Sequence, residues 1–205
     1  EVTGKSEHRG GPGRIYAETA ADVPGKGWLI LKDYGGAHTR ELCGAIPFNE
    51  DGTFGGFARL SLLNVAKAIV REGDSLDLSE TVVESDAASF LQVLGGAFVA
   101  PPTGVSFNVT FSGSPATIEG DLTVNEGAVV TDDAGLTVTG DFILNGKVTR
   151  SGPFAQDPQP LLLTVGGDLT IGATGSIDAT GRGFDATRCP EGQTHVNFGG
   201  TAHGG

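Results

Sequence analysis

The chain has no methionine, one tryptophan, two tyrosines and two cysteines, and only 19% of its residues carry charge. Thirteen lysines and arginines against 25 aspartates and glutamates leave a net charge of −12. Basic side chains this sparse and scattered cannot form the clustered patch that phosphates need, which excludes nucleic acid as a partner. No apolar run approaches the roughly eighteen residues that a spanning helix requires, so no membrane span is expected. The glycine clusters are not followed by an amphipathic helix that would cradle a phosphate, which removes the nucleotide-binding fingerprints. His8, His38, His195 and His203 show no metal-ligand spacing with one another or with either cysteine. No signal peptide precedes Glu1 and the first residue is not Met, which points to processing or trimming.

What the chain does have is glycine, 34 residues of 205, and a 38% share of hydrophobic residues. Many of these are Val, Ile, Leu and Phe in short alternating runs, which bury enough surface to offset the entropy of ordering and so argue against disorder. Alternation with a period of two predicts strands. The length suits one elongated domain.

A repeat in the second half carries the fold reading. Thr, a β-branched residue, any residue, Gly, Asp, then Leu or Phe occurs as Thr117–Leu122, Thr137–Phe142 and Thr164–Leu169. Each copy continues to an apolar residue, Val124, Leu144 or Ile171, and to a later β-branched residue, matched here as Val129, Val148 and Ile177. Asp121 and Asp141 are 20 residues apart; the next step, to Asp168, is 27, with a loop of three prolines between Ser151 and Pro160 taking up the difference. Strands of three to five residues divided by Gly and Asp turns at a period near twenty are what one coil of a β-solenoid needs. Ile118, Leu122 and Val124 should point inward and meet Val138, Phe142 and Leu144 one coil along.

The expected fold is therefore all-β, a right-handed parallel β-helix with coils of about twenty residues. Residues 59–183 form the helix, most clearly from Pro115 to Gly183; residues 1–58 are a β-rich segment packed on it or capping it, and 184–205 a glycine-rich connector. Strands are expected at Arg14–Ala17, Trp28–Leu31 and Phe54–Ala58, and through Leu60–Val99, where a helix over Arg59–Arg71 is the weaker alternative because a β-branched run follows.

Gly175-Ser-Ile-Asp-Ala-Thr-Gly-Arg-Gly183, the glycine-rich passage after it and the Thr-Ala-His-Gly-Gly ending resemble large extracellular Gly-rich repeat proteins with parallel β-helix (pectin-lyase-like) architecture, found on bacterial surfaces and in some protists and algae. In those proteins such a segment leads to Gly-Gly-x-Gly-Arg-Ile-Tyr, which here stands at Gly10–Tyr16. Head and tail thus resemble halves of one passage. The resemblance implies an extracellular or cell-surface location and copies of the same chain joined head to tail.

Several chemical readings attach to these residues. Asp121, Asp141 and Asp168 should stack about 4.8 Å apart, and their repulsion is relieved either by turn hydrogen bonds or by a calcium ion, which takes carboxylate and carbonyl oxygens. Cys43 and Cys189 are compatible with one long-range disulfide or with two free buried thiols. Asn108-Val109-Thr110 is a glycosylation sequon. A polysaccharide lyase or glycosidase would need two carboxylates across a cleft and, in lyases, a basic residue. Lys147 and Arg150 lie near Asp141, but the Gly-Asp positions read as periodic architecture, and no catalytic residue or cofactor is assigned. The expected role is structural, a subunit or segment of an extracellular fibre or cell-surface protein. A carbohydrate-active or carbohydrate-binding protein acting on surface polysaccharide and an adhesin passenger fragment are the alternatives.

Overall fold

A computed structural model of the chain describes residues 13–23, 26–32, 43–45, 57–64, 66–151 and 161–180. Among them there is no helix. The strands are β1 (Gly13–Ala17), β2 (Trp28–Lys32), β3 (Cys43–Ala45), β4 (Arg59–Leu63), β5 (Lys67–Val70), β6 (Leu76–Asp77), β7 (Val82–Ser85), β8 (Phe90–Val93), β9 (Gly96–Val99) and β10 (Asn108–Phe111). They continue as β11 (Ala116–Ile118), β12 (Leu122–Val124), β13 (Val129–Asp132), β14 (Leu136–Val138), β15 (Phe142–Leu144), β16 (Lys147–Thr149), β17 (Leu163–Val165), β18 (Leu169–Ile171) and β19 (Ser176–Asp178). Residues 59–71 are two strands, as the β-branched Ile69-Val70 run favours.

These strands form four sheets. Sheet I runs β1-β2-β4-β7, sheet II β19-β16-β13-β10-β8-β5-β3, sheet III β17-β14-β11-β9-β6 and sheet IV β12-β15-β18. All neighbours are parallel except β1 and β2. From β4 onward the chain visits the sheets in an unbroken cycle: I, II, III, again I, II, III, and then II, III, IV repeatedly. At the changeover Val105 bridges in parallel to Val124, so sheet IV takes up the step that sheet I leaves. Parallel pairing also crosses residue 59, since β2 pairs with β4 and β3 with β5.

The alternation read from sequence becomes an inside and an outside. Ala116, Ile118, Leu122 and Val124 are buried and pair in register with Leu136, Val138, Phe142 and Leu144, also buried. In sheet II, Ala68, Leu91, Val109, Val130 and Val148 make one inward stack, and Val70, Val93 and Phe111 another. The register corrects one match made from sequence: Val130, not Val129, stands opposite Val148, and Val129 faces Lys147 on the outer row. Both valines are β-branched and adjacent, so composition cannot choose between them, whereas a one-residue slip would turn the whole strand inside out. Each large apolar side chain taken inside contributes about 1.5–3 kcal/mol, which makes these stacks the main stabilising element.

The Gly-Asp corners follow from the same stacking. Gly140 N–H donates to the Gly120 carbonyl and Gly167 N–H to the Gly140 carbonyl, each at 2.9 Å. A Cβ on Gly140 would lie 2.2 Å from Asp121 Oδ1, and one on Gly167 would lie 2.2 Å from Asp141 Oδ1. Glycine recurs there because the preceding aspartate occupies the space of a side chain. Gly120 has open space around it and needs glycine for a different reason, its φ of +85°.

Candidate functional site

The aspartates repeat because they bond from one pass of the chain to the next. Asp121 Oδ1 accepts from Asp141 N–H and Asp141 Oδ1 from Asp168 N–H, both at 2.9 Å and across 20 and 27 residues respectively. The backbone closes the same corner in the other direction: Leu122 N–H donates to the Asp141 carbonyl and Phe142 N–H to the Asp168 carbonyl, each at 2.8 Å. Repulsion along the column is thus eased by backbone donors, the turn chemistry expected for Gly-Asp. Among the described residues no three His, Cys, Asp or Glu side chains come together as a metal site.

The other residues singled out from sequence have definite positions or lie outside the described set. Asn108 sits on the outer row of sheet II with both ends of its amide engaged: Nδ2 donates to the Ala87 carbonyl at 2.8 Å, and Oδ1 accepts from Val129 N–H at 3.1 Å. The sequon asparagine therefore serves as a strut between successive passes. Lys147 pairs with Asp178 at 2.5 Å, which holds the Asp178 carboxyl well below the usual carboxylate range. Arg150 donates to the Asp133 carbonyl at 3.2 Å. The Cys43 backbone belongs to β3, but its side chain lies outside the described residues, as do Cys189 and all four histidines. The strand expected at Phe54–Ala58 also falls largely outside them.

Two features could serve a ligand, and neither was legible in the sequence. One is an open cavity of about 370 Å³ lined by Lys26, Phe57, Asp77, Ser79, Glu80 and Thr81, among others. Its polar groups are largely spent on one another: Lys26 pairs with Glu80, Ser79 N–H donates to Asp77 Oδ1, and Thr81 Oγ1 donates to the Phe57 carbonyl. The other surrounds the lone tryptophan. Arg59 lies over the Trp28 ring at 5.0 Å, Trp28 Nε1 donates to Ser61 Oγ at 2.8 Å, and Ser61 Oγ donates to Glu84 Oε2 at 3.2 Å. With a guanidinium over the ring, that stacking surface is not free for a sugar.

Asp132 was missed because it ends a strand that otherwise alternates as a core strand should. It is 0% exposed and stands opposite Phe111 in an apolar stack. Oδ1 accepts from Gly135 N–H at 2.7 Å and Ala134 N–H at 3.3 Å, while Oδ2 has no hydrogen-bond partner. Burial pushes this carboxyl above its ordinary value of 3.8; the Gly135 and Ala134 N–H groups and the Arg150 charge pull it back, and Asp133 adds to the rise. An acid raised on folding brings no penalty below the unfolded value and destabilises as pH climbs from 3.8 toward the folded value. Asp132→Asn is therefore expected to gain on the order of 1–3 kcal/mol over wild type at neutral pH, and nothing at pH values below the ordinary carboxylate range. Paired urea melts across pH test this, and a pH-independent difference would contradict it. Asp86 and Asp22, lowered chiefly by backbone N–H bonds, titrate the other way, so only the difference between variant and wild type isolates Asp132.

Comparison with protein-family models, curated proteins and solved structures finds no match to the chain.

Proposed function

We propose that the chain is a segment of a right-handed parallel β-helix with a structural role, part of an extracellular fibre or cell-surface protein that extends end to end. The unbroken sheet cycle supports winding in one sense, and crossovers between parallel strands of one sheet are right-handed in the great majority of cases. One observation carries the structural role: the inward stacks run through pass after pass and then stop uncovered. Phe142, Leu144 and Val148 are each 0% exposed, whereas Leu169, Ile171 and Ile177, which pair with them, are 43%, 49% and 39% exposed. An apolar stack left open at the end of a parallel array is a template for more of the same. The acidic surface keeps such rods apart laterally, since like charge repels along their length.

Electron microscopy of the full chain tests this. Thin unbranched rods that lengthen with concentration are expected; compact single particles at every concentration, or depolymerising activity on surface polysaccharides, would overturn it.

A further inference from the structure

The last described pass ends sheets II, III and IV on β19, β17 and β18, so each of the three sheets has a free strand edge there. The same pass carries Leu162 at 59% exposure, together with the exposed Leu169, Ile171 and Ile177. At its corner the aspartate column has also reached its last member. Asp121 and Asp141 each accept an N–H from the following pass, and among the described residues no N–H reaches the Asp168 carboxylate.

We infer that this face is a docking surface for a second copy of the chain, which adds its N-terminal pass in parallel and in register. The inference rests on the end-to-end reading above and specifies its joint. Parallel strands need parallel edges, and this chain has them at its other end: β3 in sheet II and β6 in sheet III have no further neighbour among the described residues. The third face differs. There the free side of β2 is taken by β1, which pairs antiparallel from Gly13 opposite Lys32 to Ala17 opposite Trp28. The joint therefore forms on two faces and stops on the third, which gives it a fixed rotation about the rod and makes it heterologous, so that it propagates instead of closing. The corner adds selectivity. Whatever covers Asp168 must bring an N–H preceded by a residue without Cβ, because Gly140 and Gly167, at the two equivalent places, would each put a Cβ 2.2 Å from the preceding carboxylate oxygen. The copies each carry a charge of −12, so added salt, which screens that repulsion and leaves the apolar contact intact, strengthens the joint.

Sedimentation of the full chain over a wide concentration range, at low and high NaCl, tests the proposal with three variants. Ile177→Lys and Leu169→Lys are expected to weaken association by about tenfold or more, as loss of a central apolar anchor does. Ile143→Lys, on the outer face of sheet IV at 41% exposure, is expected to leave it unchanged. Hydrogen exchange on the wild-type chain needs no variant: amides of β17, β18 and β19 should gain protection as concentration rises, and those of β12 should not. Rods that persist in Ile177→Lys, or association that falls as much in Ile143→Lys, would overturn this joint and leave end-to-end assembly standing. A wild-type chain that stays monomeric at every concentration would overturn both.

Discussion

Phe142→Ala is expected to cost about 3–5 kcal/mol of stability, while Ile143→Ala one residue on should stay within about 0.5 kcal/mol. Phe142 is 0% exposed, between Leu122 on one side and Leu169 on the other, whereas Ile143 faces out between Thr123 and Thr170. Closely stacked passes leave little room for the wall to collapse into the space that a phenyl ring vacates, which places the loss toward the upper part of that range. Urea melts of the two variants provide the measurement. Similar losses would mean that sheet IV is not built with Phe142 inside and Ile143 outside, and the inward stacks would have to be redrawn.

Gly140→Ala is the second large effect, expected at about 2–4 kcal/mol because overpacking adds to the loss of a charge-assisted hydrogen bond. Its Cβ would lie 2.2 Å from Asp121 Oδ1 and also 2.7 Å from the carbonyl carbon of Gly120 and 2.8 Å from its oxygen, so a side-chain rotation alone cannot clear the space. Movement of the corner then pulls Asp141 N–H away from Asp121. Gly120→Ala is the control at the same place in the repeat: nothing lies within 4 Å of its Cβ, and only the positive φ opposes the change, at about 1–2 kcal/mol. Asp121→Ala in the Gly140→Ala background should recover only part of the loss, since the Gly120 backbone remains in the way. Equal costs for Gly120→Ala and Gly140→Ala would show that the two passes do not approach as closely as the Gly-Asp corners require.

Much of this was legible in the amino-acid order. The strands from Pro115 onward, the twenty-residue step and the inward role of Ile118, Leu122 and Val124 follow from alternation and from the spacing of Gly-Asp, because a half-buried strand must repeat every two residues and a stacked pass must repeat as a whole. Leu76–Asp77 and Phe90–Val93 were visible for the same reason, although their spacing is less regular. The outer rows were harder to read. Asn108 looked like a sequon and proved to be a strut, because the carbonyl of Ala87 and the N–H of Val129, 21 residues from it on either side, come within reach only when three passes stack.

By itself, then, the sequence determined an all-β chain, its repeating corners and most of its inward residues, since those depend on local alternation and turn chemistry. Only the tertiary structure decided the rest: that Val130 and not Val129 joins the stack, that the carboxylates of Asp121 and Asp141 bond forward to the next pass, that Asp132 lies buried beneath Arg150, and that β1 closes one face while the last pass stays open. Each of these depends on which residues lie one pass above or below, and that relation is set by the register of parallel strands some twenty residues apart, a distance over which neighbouring residues carry no record of one another.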